Sequence, residues 1–130
     1  MTFLTLNLSK NKEKNWRQRK RILDENVPTA IINLSSYNEV DSAETSYDNY
    51  LINSTAIREI AEYSEDGDIP FMHISTDYVF SGDGGNYTEQ AETKPINEYG
   101  KAKLQGEDYI REITSHYLII RTKHWLMSRR

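Results

Sequence analysis

The chain has 130 residues, about the length of one domain, with 37% hydrophobic and 28% charged residues and a mean hydropathy of −0.76. It contains no cysteine, which excludes disulfides, thiolate metal sites and cysteine nucleophiles. The net charge of −4 argues against nucleic-acid binding by the chain as a whole. No apolar run approaches the roughly 18 residues of a membrane span, and the N-terminus lacks a secretory signal. We therefore expect a cytoplasmic protein with neither a membrane nor a nucleic-acid partner.

The first part of the chain alternates between short strand-like runs and helical periods. Residues 3–6 form an apolar run, followed by Ser9 as a candidate helix cap. Residues 12–26 predict a charged helix that ends before Pro28, because a residue preceding proline avoids the α conformation. Residues 30–34 predict a strand that is apolar on both faces, which is typical of a parallel strand between two helix layers.

A basic cluster, Arg17-Gln18-Arg19-Lys20-Arg21, lies in the first predicted helix. Such a cluster is compatible with a localisation signal or a polyanion-binding patch. We interpret it instead as the solvated face of the helix, with Trp16, Ile22 and Leu23 turned inward.

The second part of the chain continues the alternation. From Asp41 the sequence predicts a helix that ends at residues 65–68, with apolar residues at helical spacing. A third strand follows at residues 71–74, a helix at residues 99–114 and a fourth strand at residues 117–120. The order β-α-β-α-β-α-β, joined by right-handed crossovers, predicts an α/β fold whose parallel sheet carries helices on both faces.

Two clusters rich in hydroxyl groups follow predicted strands. They are Ser35-Ser36-Tyr37 and Ser75-Thr76-Asp77-Tyr78. Ligands of open parallel sheets bind beyond the carboxyl ends of the strands, where both clusters should lie. Each cluster alone is more simply explained by turn formation and helix capping, which favour the same residue types.

Tyr99 and Lys103 are four residues apart, hence one turn apart on one face of the predicted helix. An ammonium at this spacing stabilises phenolate and lowers the pKa of the tyrosine from about 10. The phenol can then give a proton to a carbonyl oxygen as hydride arrives at its carbon, while the Thr76 hydroxyl bonds the same oxygen. The motif alone is weak in a chain with nine tyrosines, and a surface pair is the alternative explanation.

The combination of Thr76, Tyr99 and Lys103 is the constellation of short-chain dehydrogenase/reductases. Over residues 28–122 the chain resembles the dTDP-4-dehydrorhamnose reductase family more closely. The regulatory subunit of methionine adenosyltransferase is similar over the same region and has a different role. The matching positions are Ile31-Ile32-Asn33, Tyr37, Val40-Asp41, Ala43-Glu44, Asn53, His73-Ile74-Ser75-Thr76-Asp77-Tyr78-Val79-Phe80, Gly82, Gly85, Tyr87-Thr88-Glu89, Pro95, Tyr99-Gly100, Lys103, Gly106-Glu107 and Ile119-Ile120-Arg121-Thr122.

The resemblance implies reduction of a 4-keto group on a nucleotide-activated deoxysugar, with NADPH or NADH as cofactor. It implies that Tyr99 donates the proton, that Lys103 binds the nicotinamide ribose and tunes Tyr99, and that Thr76 orients the keto group. No metal ligands are identified, and His73 is expected to be a packed histidine. The other implied contacts are Asn7, Leu8, Ser35, Ser36, Tyr37 and Ile74 at the cofactor, and Asp77 and Trp125 at the sugar nucleotide.

The chain also departs from this family. A dinucleotide-binding fold begins with a strand and a glycine-rich turn that holds the pyrophosphate, whereas the glycines of this chain begin at Gly67. At two implied contacts, Asn7 stands where the family has Asp and Trp125 falls one position late. We therefore expect residues 1–130 to form one partial NAD(P)-binding, Rossmann-like domain that lacks the first βαβ unit and the C-terminal substrate region.

Three hypotheses follow for the function. The chain is a reductase or a part of one, weak or inactive by itself; or it is a non-catalytic regulatory module that binds a sugar nucleotide or NADP; or it is a truncated product without a role of its own. The motif residues favour the first hypothesis, and the absent glycine-rich turn favours the second. Apolar faces left exposed would favour association, so a homo-oligomer is one expected state.

Overall fold

Four parallel strands form one sheet in the order β1-β2-β3-β4, so each strand pairs with its neighbours in the sequence. The computed structural model describes the backbone of residues 3–5 and the whole of residues 15–123. The elements are β1 (Phe3–Thr5), α1 (Trp16–Asn26), β2 (Ala30–Asn33), α2 (Val40–Ala43), α3 (Tyr47–Tyr50), a π-helical turn (Leu51–Thr55), α4 (Ala56–Asp66), β3 (Phe71–Thr76), a 3-10 turn (Asp77–Val79), α5 (Glu98–Ile113) and β4 (Tyr117–Thr122).

The predicted alternation of strands and helices is confirmed, with shifted boundaries. β2 ends at Asn33, one residue before the predicted end, and Leu34 is exposed. β3 and β4 both continue two residues further than predicted, to Thr76 and Thr122. The register pairs these two ends with each other, so the two strands stop together at the carboxyl edge of the sheet.

All the long helices in the described residues lie on one face of the sheet, so the prediction of helices on both faces is wrong for this part of the chain. Because the strands follow one another in sequence order, every right-handed crossover advances in the same direction and places its helix on the same side. A second helix layer requires a change of direction in the strand order. Element order alone does not contain that information.

The covered face holds the apolar core. Ile31 of β2 and Phe71 of β3 are neighbours in register and fully buried beneath the helices. Leu23 of α1, Ile57 of α4 and Ile110 of α5 pack over them. Burying such side chains contributes about 1.5–3 kcal/mol each, which makes this layer the main source of stability in the described residues.

The opposite face of the sheet, which we call the open face, presents a second apolar row. Ile32, Met72 and Leu118 are aligned in register across β2, β3 and β4, with Ile74 and Ile120 one step further along β3 and β4. Leu118 is 50% exposed and Ile120 is 37% exposed. A groove of about 630 Å³ runs over the start of these strands. The predicted exposure of an apolar sheet face is therefore present in the structure.

The long helix predicted from residue 41 to about 66 is divided into four pieces. Ser46 interrupts it, because its side chain accepts a hydrogen bond from Asp48 N at 3.2 Å and caps α3. The π-helical turn then separates α3 from α4 and contains the buried Asn53. The periodicity did predict the buried apolar face of α4, but it could not reveal side-chain bonds that compete with a continuous helix.

Helix α1 begins after Asn15, whose side chain accepts a hydrogen bond from the backbone of Arg17, and ends before Pro28 as predicted. Ser9, the expected cap, lies outside the described residues. Arg19 corrects the interpretation of the basic cluster, because it is fully buried and pairs with Glu59 of α4. Within residues 15–123, no helix is long and apolar enough to cross a membrane.

Candidate functional site

The end of β3 and the start of α5 meet at the carboxyl edge of the sheet. The Thr76 hydroxyl accepts a hydrogen bond from Tyr78 N at 3.2 Å and donates one to the Asp77 carboxylate at 3.4 Å. The Tyr78 and Tyr99 rings meet edge to face with centroids 5.4 Å apart. Thr76 therefore lies beside the helix start that carries Tyr99, as the sequence predicted.

Tyr99 is 4% exposed, and its hydroxyl forms hydrogen bonds with Ser36 and Thr76, one from each of the two hydroxyl-rich clusters. Burial raises the pKa of Tyr99 above 10, although hydrogen bonds with Ser36 and Thr76 act in the opposite direction. The prediction that Lys103 lowers this pKa is therefore wrong for the chain in this state. The physical reason is that desolvation of the phenolate outweighs the stabilising contacts.

Lys103 is 1% exposed and lies one turn after Tyr99 on the buried face of α5. Its Nζ donates a hydrogen bond to the backbone oxygen of Ile74 at 2.9 Å. Burial lowers the pKa of Lys103 from 10.5 to about 8, and the charge of Glu107 opposes this effect. The side chain is thus a buried ammonium below about pH 8, held at the edge where the strands end. The surface-pair explanation of the Tyr99 and Lys103 motif is excluded.

The loop after β2 is held by Asn53, which the sequence analysis did not single out as a site residue. The Asn53 side chain accepts hydrogen bonds from the Ser36 hydroxyl and from Tyr37 N, both at 3.0 Å, and donates one to Tyr37 O at 3.1 Å. Ser35 is tied to Asn33 by a further bond from Ser35 N to the side-chain oxygen at 3.2 Å. The sequence signals were a polar residue within an apolar helical run and a position that matches the family to which the chain was compared.

Two glycines of α5 allow the helix to approach its neighbours closely. A Cβ at Gly100 would collide with the backbone oxygen of Tyr78, and one at Gly106 would collide with that of Asn53. These contacts bring α5 against both the turn after β3 and the π-helical turn. They fix the position of Tyr99 relative to Thr76 and Ser36.

His73 lies in the middle of β3 and is fully buried, as expected for a packed histidine. Its Nδ1 accepts a hydrogen bond from the Asn33 side chain at 3.0 Å, which assigns the ring proton to Nε2. Burial and the nearby Lys103 lower the pKa of His73 well below 6.5, so the ring is neutral. The described residues contain no cluster of three or more acidic, histidine or cysteine side chains that could hold a metal.

The predicted site residues thus fall into three groups. Six of them are gathered at the carboxyl edge by β3, α5 and the loop after β2. Asp77 follows Thr76 directly, and Ile74 lies two residues before it on β3. Asn7, Leu8 and Trp125 lie outside the described residues. The gathered residues are Ser35, Ser36, Tyr37, Thr76, Tyr99 and Lys103.

A parallel sheet with helical crossovers and polar groups gathered at its carboxyl edge defines a Rossmann-like α/β domain. The sequence model of the RmlD substrate binding domain matches residues 2–130. The chain belongs to that family.

Curated and solved relatives agree with this assignment. The probable low-salt glycan biosynthesis reductase Agl14 of Haloferax volcanii is 41% identical over 77% of this chain and 34% of its own length. The dTDP-4-dehydrorhamnose reductase of Escherichia coli is 38% identical over 73% of this chain and 32% of its own. The dTDP-4-dehydrorhamnose reductase of Bacillus anthracis, solved in complex with NADP, superposes with a TM-score of 0.79 at 38% identity. The superposition covers 85% of this chain and 40% of the Bacillus anthracis chain. The chain spans about a third of the length of the curated relatives.

Proposed function

We propose that the Tyr99–Lys103 site serves the reduction of a 4-keto group on a nucleotide-activated deoxysugar, with a nicotinamide cofactor. The observation that carries this proposal is the burial of Tyr99 and Lys103 on one face of α5, with the Thr76 hydroxyl acting on Tyr99. The names of the relatives, reductases of dTDP-linked keto sugars, support the same substrate class. We expect this chain by itself to have weak or no activity.

The donor set at the carboxyl edge fits a nicotinamide nucleotide. The Lys103 ammonium and the hydroxyls of Ser36 and Tyr99 are groups that bond to ribose hydroxyls. Ser35 and Tyr37 flank Ser36 on the loop after β2, and the backbone oxygen of Ile74 accepts from Lys103. We assign a cofactor contact to these three residues and to Asn7 and Leu8. The Bacillus anthracis relative, solved with NADP, supports NADPH as the first cofactor to test.

The bound cofactor would supply the hydride. Tyr99 then gives its phenolic proton to the carbonyl oxygen of the substrate as charge develops on that oxygen. The Thr76 hydroxyl donates a hydrogen bond to the same oxygen and keeps it in line. Asp77, which follows Thr76, contacts the sugar nucleotide, and we assign Trp125 to the same part of the substrate.

Lys103 provides the positive charge of the site. Because its pKa is about 8, the side chain is protonated at neutral pH and can donate to a ribose hydroxyl of the cofactor. A cofactor bound through this ammonium should lose affinity as the pH rises through about 8. Titrations of NADPH at pH 7 and pH 9 would test this, and equal affinities would contradict the role of Lys103.

The proposal is tested by calorimetric titration of the folded chain with NADPH and with NADH. We expect saturable binding that Lys103→Ala weakens at least tenfold and that Tyr99→Phe weakens less. Lys101→Ala is the matched control, because Lys101 is an exposed lysine on the same helix, paired with Glu98. No binding at millimolar cofactor by the folded chain would overturn the proposal.

A second candidate is a binding module without turnover. The bond from Lys103 Nζ to Ile74 O favours it, because the ammonium is engaged with the backbone rather than with Tyr99. This candidate predicts cofactor or sugar-nucleotide binding that is unchanged in Tyr99→Phe. Oxidation of NADPH by the chain in the presence of a 4-keto sugar nucleotide would exclude it.

A further inference from the structure

Glu107 is a buried carboxylate that the proposed reaction does not use. It is 0% exposed and lies one turn after Lys103 on the buried face of α5. Arg121 of β4 donates to it from Nη2 at 2.6 Å and from Nε at 3.0 and 3.2 Å. Arg111, one turn further along α5, donates from Nη2 at 2.7 Å. A buried carboxylate with this many donors is an organised centre rather than a surface ion pair.

The charges around Lys103 make Glu107 its counter-charge. On β3 the nearest titratable group is His73, which is neutral, and on α5 Tyr99 is neutral as well. The π-helical turn packed against α5 contributes the uncharged Asn53 and Ser54. Arg111 on α5 and Arg121 on β4 pair with Glu107, and Asp77 lies in the turn after β3. The other charged side chains of α4 and α5 are exposed or paired elsewhere, among them Glu59 with Arg19, Arg58 with Glu62 and Lys101 with Glu98. Glu107 is thus the buried anion of this set, and it is shared by three cations.

The same carboxylate joins α5 to the strand ends. Arg121 is paired in register with Ser75, and the next residue, Thr122, is paired with Thr76. The Arg121 guanidinium also lies over the Phe80 ring at 5.0 Å, in the segment that follows Thr76. Loss of the carboxylate would therefore remove a charged link between the helix bearing Lys103 and the strand that is paired with Thr76.

We propose that Glu107 is a positioning residue of the Tyr99–Lys103 site, which supplies the counter-charge of the buried Lys103 ammonium and fixes the end of β4 beside Thr76. This inference rests on the proposed function in one respect, which is that Lys103 binds the cofactor. The electrostatic link between Glu107 and Lys103 is a property of the chain itself. It can be measured without cofactor.

The experiment follows the Lys103 side chain by NMR in protein labelled with ¹³C-lysine, with the resonance assigned from Lys103→Arg. In Glu107→Gln we expect the pKa of Lys103 to fall by about 0.5–1 pH unit, because Arg121 and Arg111 then act on the ammonium without a counter-charge. Asp108→Asn is the matched control, since it removes the same charge from an exposed neighbour on α5. An unchanged Lys103 pKa in folded Glu107→Gln overturns the proposal.

A second variant keeps the proposal testable if Glu107→Gln does not fold. Arg111 is 37% exposed and shares Glu107 with Arg121, so Arg111→Gln should leave the fold intact. Without Arg111, less positive charge compensates the Glu107 carboxylate, which then stabilises the Lys103 ammonium more strongly. We therefore expect the pKa of Lys103 to rise by a few tenths of a pH unit. No rise in Arg111→Gln would overturn the proposal.

Cofactor binding distinguishes this proposal from the one on which it rests. If the wild-type chain binds NADPH, we expect Glu107→Gln to weaken binding several-fold and Asp108→Asn to leave it unchanged. Equal affinity of wild type and folded Glu107→Gln would contradict the positioning role. If the wild type binds no NADPH, the proposed function fails, while the pKa comparison still decides whether Glu107 holds the charge of Lys103.

Discussion

The two faces of the sheet are built from alternate residues of the same strands, yet they have different roles. On β3, Phe71 and His73 point to the covered face and are fully buried, whereas Met72 and Ile74 point to the open face and are half-buried. The covered face contains the apolar core and the buried Lys103 and Glu107. The comparison shows that the apolar core and the candidate site lie on one side of the sheet, whereas the open face keeps apolar side chains partly exposed.

The largest expected effect on stability is a difference between alanine substitutions at two adjacent residues of β3. Phe71→Ala should lower the free energy of unfolding by about 3–5 kcal/mol, because it leaves a cavity beneath α4 and α5. Met72→Ala, on the open face, should cost about 1 kcal/mol, because less apolar surface is removed from water there. Urea unfolding followed by circular dichroism measures both values. Similar losses for the two variants would contradict the difference between the faces.

Lys103→Met should stabilise the chain while removing the candidate function. The folded pKa of about 8 lies below the ordinary 10.5, so burying the ammonium costs up to about 3 kcal/mol at neutral pH. We expect the variant to be about 1–3 kcal/mol more stable at pH 7, since the lost bond to Ile74 O offsets part of the gain.

The pH dependence of unfolding tests whether the charge of Lys103 causes the higher stability of Lys103→Met. Because the folded pKa is lowered, the stability of the wild type should rise as the pH increases from about 8 to 10.5. The difference between Lys103→Met and the wild type should therefore shrink over that range. A difference that stays constant with pH would show that the charge of Lys103 is not its source.

Acid should lower the free energy of unfolding through protonation of His73, which is buried on the covered face. Its folded pKa lies well below 6.5, so the unfolded chain binds more protons as the pH falls below 6.5. The contribution of neutral His73 to the free energy of unfolding is fully present above that pH. Below it, the free energy of unfolding should decline by up to about 1.4 kcal/mol per pH unit. Urea unfolding at pH 7 and pH 5.5 tests this, with His73→Gln as the comparison. His116→Gln is the control variant for the loss of a histidine, because His116 is exposed and pairs with Asp68 at the surface.

The smallest effect on stability is expected on the open face. Leu118→Ser should change the free energy of unfolding by about 0.5 kcal/mol or less, because Leu118 is half-exposed already. It should reduce self-association of the chain, since it interrupts the apolar row formed with Ile32 and Met72. Sedimentation velocity over a range of concentrations measures this. Unchanged association would show that the open face does not drive it.

Much of the candidate site could be predicted because its residues act through local spacing. The helical period placed Tyr99 and Lys103 one turn apart, and the strand end placed Thr76 near them. Asn53 and Glu107 were missed as site residues, because their importance depends on distant partners: the loop at Tyr37 for Asn53, and Arg121 on β4 for Glu107. Arg19 was misjudged for the same reason, since its partner Glu59 lies on another helix.

The sequence by itself determined the alternation of strands and helices, the buried faces of α4 and α5 and the residues of the Tyr99–Lys103 motif. These depend on periodicity and spacing along a few turns of chain. The tertiary structure decided the order of the strands, and with it the single covered face of the sheet. It also decided the charge balance of the site, because the pKa values of Tyr99 and Lys103 follow from burial, which is produced by the packing of segments far apart in the chain.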